Sequence, residues 1–117
     1  MPEWIFNHIG RASLIYDKDC IRNNNGKVIA WIKDKCVFSL SGRHKGWFES
    51  GIFYDSNNRV IGFLLKATGH LPSSPGTSGT PGMPSFYGHP GRPAFSGIPG
   101  RPGYSGWSTY AFEQYFD

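Results

Sequence analysis

The chain is short of everything that usually announces an activity. It has two cysteines, and 17% of its residues are charged. Its longest apolar stretch, Val60 to Leu65, is far below the ~20 residues a membrane-spanning helix needs. Met1 to Phe6 has no basic region followed by an apolar run, so no signal peptide is expected. These absences point to a soluble, cytoplasmic protein with no membrane partner. Cys20 and Cys36 stand 16 residues apart, with no Cys-x-x-Cys and no histidine at zinc-like spacing, and His8, His44, His70 and His89 share no ligand spacing. No metal and no cofactor is expected. Reduced, buried thiols are the preferred state of the two cysteines, since free cysteine is usually a small buried hydrophobe, and a disulfide stays open as the alternative.

No catalytic constellation emerges either. Only His44 lies inside a strand-like segment, where a solvent-facing histidine is the plainer reading than a general base. Asp17, Asp19, Asp34 and Glu49 sit in polar links suited to turns, and nothing near Cys20 or Cys36 suggests a depressed thiol pKa. An enzyme is not expected. Charge is also modest: the formal net value is +4, with ten Lys/Arg against six Asp/Glu in residues 1–69 and two of each in residues 70–117. That falls short of the dense clustering of a dedicated nucleic-acid binder, so nucleic acid is a possible but not favoured partner.

What the chain does have is two rhythms. Offsetting the first part by 16 residues superimposes Ile15, Trp31, Trp47 and Phe63, and a second column holds Ile5, Ile21, Val37 and Phe53. A third column reads Gly10, Gly26, Gly42 and Asn58, residue types that tolerate a left-handed backbone. Three residues before each stands Asn7, Asn23, Ser39 or Asp55, the pattern of a type I turn closed by a positive-φ residue. Runs rich in β-branched and aromatic residues flank each turn, such as Trp4-Ile5-Phe6, Val28 to Ile32, Ile52-Phe53-Tyr54 and Val60 to Leu64. The expected body is eight short antiparallel strands in four successive hairpins with pseudo-four-fold symmetry. We place Ile15, Trp31, Trp47 and Phe63 at its shared centre, because one hairpin alone is marginal in water. The column Leu14, Ala30, Gly46 and Gly62 is mostly small and would let neighbouring units approach closely.

The second rhythm starts at Gly76. Glycine recurs at every third position to Gly106, interrupted by Ser85 and Ala94, and seven of the nine prolines directly precede one of these positions. Proline fixes φ near the polyproline II value. With three residues per turn, one face then bears Thr77, Thr80, Met83, Phe86, His89, Arg92, Phe95, Ile98, Arg101, Tyr104 and Trp107. Three readings of this segment compete. A collagen-like trimeric stalk needs glycine at the crowded axis, which Ser85 and Ala94 would weaken. A disordered linker suits the Pro/Gly content but not the apolar face. The favoured reading is a polyproline II strand packed on the β body or on another copy, adding burial that a body of about 70 residues lacks. Trp107 to Asp117 holds five aromatics and should dock, with Ser108 able to cap a helical turn.

These residues resemble a known family. Repeats like Phe53-Tyr54-Asp55-x-x-Asn58-Arg59-Val60-Ile61-Gly62, then a Gly/Pro-rich stretch, then an ending Trp107-Ser108-x-x-x-Phe112-Glu113-x-x-Phe116, are similar to those of the small bacterial four-fold beta-flower proteins. The resemblance spans nearly the whole chain. It implies the fold and brings no activity; such proteins are also similar to products of mobile gene cassettes. The tail here departs from the family pattern in being poor in arginine and rich in aromatics.

The resulting expectation is an all-β fold: a four-hairpin β domain over 1–70, a Gly-X-Pro polyproline II segment over 71–106 and an aromatic anchor over 107–117. The expected role is a non-enzymatic interaction or assembly module whose partner is a second copy or another protein. Arg11, Lys27, Arg43 and Arg59, each following a turn, are candidates for a basic rim that binds an anion, although solvated turn residues are the plainer reading. Phe86, Phe95, Ile98, Tyr104, Trp107, Phe112, Tyr115 and Phe116 are candidates for docking of the tail or of a partner.

Overall fold

The computed structural model describes residues 2–68, 76–77, 79–91, 93–103, 106–110 and 112–116. Eight strands follow one another: β1 (Glu3–Phe6), β2 (Ala12–Asp17), β3 (Cys20–Arg22), β4 (Val28–Lys33), β5 (Cys36–Ser39), β6 (His44–Glu49), β7 (Ile52–Tyr54) and β8 (Val60–Leu64). Each pairs antiparallel with the next, and β1 pairs with β8 through Ile5↔Leu64 and Phe6↔Phe63, closing a barrel. Closure leaves no open sheet edge. Near the C-terminus a short helix, α1 (Phe112–Tyr115), follows a parallel bridge between Val60 and Trp107.

The turns at the hairpin ends share one geometry. The backbone N–H groups of Gly10, Gly26, Gly42 and Asn58 donate to the carbonyls of Asn7, Asn23, Ser39 and Asp55. Their φ values are 82°, 87°, 90° and 60°. The side-chain oxygens of Asn7, Asn23, Ser39 and Asp55 in turn accept from the backbone N–H of Arg11, Lys27, Arg43 and Arg59. A short polar side chain three residues before a left-handed position thus satisfies the bend from within. One register shift falls in each hairpin, at Ile5/Phe6, Ile21/Arg22, Val37/Phe38 and Phe53/Tyr54. Such bulges strengthen the local twist, which helps short strands close.

The barrel buries both faces of its sheet. Tyr16 on β2 meets Phe48 on β6 at 5.1 Å and Phe53 on β7 at 6.2 Å between ring centroids. Strands this far apart around the barrel touch only across its interior. The inner layer therefore holds Ile5, Leu14, Ile21, Ala30, Val37 and Phe53, with Phe112 and Phe116 of the C-terminal segment packed against it. Gly62 leaves room for one of these rings, since a Cβ there would lie 2.7 Å from Cζ of Phe112.

Ile15, Trp31, Trp47 and Phe63 are buried, but they form the outer layer with Trp4, Phe6, Cys20, Cys36 and Phe38 rather than the barrel centre. This corrects the sequence expectation. The centre belongs to the smaller column Ile5, Ile21, Val37 and Phe53, because a narrow barrel has no room for inward-facing tryptophans. The outer aromatics are shielded instead by the tail, whose Phe86, Phe95 and Trp107 pack on them.

The seam between barrel and tail as candidate functional site

The tail visits the hairpins in chain order. A Cβ on Gly10, Gly26 or Gly42 would lie 1.9, 2.1 or 2.1 Å from the carbonyl oxygen of Gly76, Ser85 or Ala94. Nine tail residues therefore step past sixteen barrel residues. The backbone N–H of Tyr87 donates to Gly26 O at 3.1 Å, and that of Ser96 to Gly42 O at 2.8 Å. On the fourth hairpin Asn58 takes the glycine's place: its Nδ2 donates to Pro102 O and its Oδ1 accepts from Arg101 Nε, both at 2.8 Å. At the end of the path Val60 donates to Gly106 O and Ser108 donates to Val60 O.

The repeat glycines of the tail do not line this seam. A Cβ on Gly76, Gly79, Gly82, Gly88, Gly91, Gly97, Gly100 or Gly103 would meet nothing within 4 Å. The described tail lies along its own barrel, so the triple-helix reading, in which glycines face a crowded axis, does not describe this arrangement.

The candidate docking residues divide into three sets. Phe86 lies under the Arg22 guanidinium at 4.4 Å, Phe95 stacks on Phe38 at 4.5 Å, and Trp107 meets Phe63 at 6.2 Å. Phe112 and Phe116 are buried, and Tyr115 donates its hydroxyl to Lys45 O while accepting from Ser56 N–H. Ile98 is 56% exposed and does not join the docked set. Tyr104 lies outside the described residues, as does Arg92.

The candidate cations stand one at each hairpin end. Arg11, Lys27 and Arg43 are exposed and Arg59 is half-buried. The Lys27 ammonium lies 5.8 Å from the Tyr87 ring centroid, so part of this rim faces the tail rather than open solvent.

Sequence spacing gave no sign of a cluster that the fold assembles where the tail crosses the second hairpin. Cys20 Sγ lies 3.6 Å from His89 Nε2 and 3.9 Å from Asp17 Oδ2. Asp19 Oδ1 is 3.9 Å from the same His89 nitrogen. The His89 ring stacks on Trp31 at 5.6 Å, and the buried Arg22 donates through Nε to Asp17 Oδ2 at 2.8 Å. Arg22 Nη1 also reaches the carbonyls of Gly26 and Tyr87, so one guanidinium ties strand, turn and tail together. Positions 16 residues away from Arg22 hold Phe6 and Phe38, and the place of His89 is taken nine residues later by Ile98. In that column Arg22 is the charged residue, where the other hairpins carry Phe6, Phe38 and Tyr54.

A second polar knot ties the tail to β6. Arg101 Nη1 donates to Glu49 Oε1 at 2.9 Å, holding that carboxyl below its ordinary pKa. The Arg101 guanidinium also lies 4.8 Å from the Tyr54 ring. Burial raises the Cys36 thiol and lowers the His44 imidazole from their ordinary values.

A closed, eight-stranded antiparallel barrel belted by its own tail defines a small all-β protein. The model of the family described as 4-fold beta flower protein matches residues 3–116, and the chain belongs to that family. No curated protein and no solved structure matches it.

Proposed function

We propose that the protein is a non-enzymatic interaction module that associates with a second copy of itself through a groove left open at the barrel's turn end. The observation that carries this reading is a cleft of about 360 Å³ whose lining includes Val28, Ile29, Leu40, Tyr87 and Pro90 together with Lys27. A neighbouring cleft of about 240 Å³ shares Ile29 and Leu40 with it and reaches Phe116. Leu40 and Tyr87 are 44% and 57% exposed even though the tail has already docked. Apolar side chains that stay uncovered after a chain has used its own aromatics are the usual mark of a contact surface.

The supporting architecture is a four-petal module with pseudo-four-fold symmetry and a polyproline II belt. Thirty residues at about 3.1 Å each reach roughly 95 Å, enough to go most of the way around a molecule 36 Å across. The belt supplies burial to a barrel otherwise too small to be more than marginal, and so makes a rigid platform. Two buried thiols that are not joined in a disulfide suit a reducing, cytoplasmic compartment.

Sedimentation of the full chain over a wide concentration range tests the reading. The expected result is a reversible dimer that Leu40→Glu converts to a monomer, with a melting temperature equal to that of the native chain at concentrations where the native chain is itself monomeric. A molar mass that stays monomeric throughout, or a dimer indifferent to Leu40→Glu, overturns it.

A further inference from the structure

We propose that Asp17, Cys20 and His89 form a binding site for a zinc-type divalent cation that fastens the tail to the barrel. One donor atom from each of the three residues lies within 4.8 Å of the others, the one such group among the described residues. A tetrahedral zinc ion with sulfur at about 2.3 Å and nitrogen or oxygen at about 2.0–2.1 Å sets its ligand atoms roughly 3.3–3.6 Å apart. The Cys20–His89 distance of 3.6 Å already meets that spacing, and the Cys20–Asp17 distance of 3.9 Å needs a shift of a few tenths of an ångström. Thiolate, imidazole and carboxylate together are a borderline-soft donor set, suited to zinc rather than to magnesium or calcium.

The surroundings support coordination over other uses of a thiol. Cys20 has no exposed surface, which denies a substrate access to its sulfur. His89 and Asp19, with side chains 48% and 47% exposed, leave one side open for a small ion and for a solvent ligand. The Trp31 ring fixes the imidazole plane, and the Arg22 N–H on Asp17 supplies the outer hydrogen bond that ligating carboxylates usually receive. Charge points the same way. With the Cys20 proton released to solvent on binding, the thiolate, Asp17 and Asp19 carry three negative charges, which Arg22 and a divalent ion together neutralise.

Cobalt(II), a spectroscopic stand-in for zinc, tests the site in the full chain. The expected result is one equivalent bound with a thiolate-to-cobalt absorption band that zinc displaces. Cys36→Ser keeps the band and Cys20→Ser abolishes it. His89→Gln, a change on the exposed tail that leaves the barrel core intact, weakens binding at least about 100-fold, since even outer partners of metal ligands cost about 10- to 100-fold. Zinc should also raise the melting temperature of the native chain but not that of His89→Gln. Absence of the band in the native chain, a band that follows Cys36 instead of Cys20, or affinity unchanged in His89→Gln overturns the proposal.

Discussion

Gly26 lies directly beneath Ser85: a methyl group on its Cα would sit 2.1 Å from the Ser85 carbonyl oxygen. The glycine is needed twice over, once for its φ of 87° and once for the tail's approach. Gly106 separates the two requirements, because its φ is 94° but a Cβ there meets nothing within 4 Å. Gly106→Ala should therefore cost only the left-handed penalty, about 1–2 kcal/mol. Gly26→Ala should cost more than that, because the tail must also move. Thermal unfolding of the two variants checks the order; equal losses would mean that the tail does not press on the turn.

The turns were legible because their rule is local. Asn7, Asn23, Ser39 and Asp55 announce the bend, and Gly10, Gly26, Gly42 and Asn58 take the left-handed position three residues later. The inside and outside of the barrel were not legible, for a physical reason. A strand with one wet face alternates apolar and polar residues, whereas here Ile5 and Ile15 belong to opposite faces and are both fully buried. The tail covers the outer face, so the columns carry no polarity signal to tell them apart. The cluster at Cys20 was equally hidden, since His89 arrives from 69 residues away along a path set by the tail's register. That register did leave a trace. Ser85 and Ala94, the two breaks in the glycine rhythm, stand nine residues apart, and each is followed by a phenylalanine that packs on the barrel.

The outward-facing tail glycines make a prediction that sets the belt against a triple helix. Gly91 and Gly100 have open space where a Cβ would go, and neither has a left-handed φ. Alanine at either site restricts the unfolded chain without a clash and should raise stability by about 0.4–1 kcal/mol. In a triple helix the same substitutions would be disruptive, because only glycine fits at the axis. Melting temperature and molar mass of Gly91→Ala and Gly100→Ala check this. A clear loss of stability at both positions would contradict the tail path described above.

His44 makes stability depend on pH. Its ring lies edge-on to Phe38 at 5.5 Å and to Trp47 at 4.7 Å. Neither ring nitrogen has a hydrogen-bond partner among the described residues, and burial lowers its pKa from the ordinary 6.5. The unfolded chain therefore takes up this proton more readily than the folded one. Stability is full above about pH 6.5 and falls as the pH drops below it. Glu49, held below its ordinary value of 4.5 by Arg101, adds a loss of the same sign further into acid. His44→Phe keeps the ring packing and removes the protonation, so it should flatten the melting-temperature profile between about pH 7 and pH 5 while leaving the loss below about pH 4.5 in place. A His44→Phe profile that superimposes on the native one would show that this imidazole is not what senses the proton.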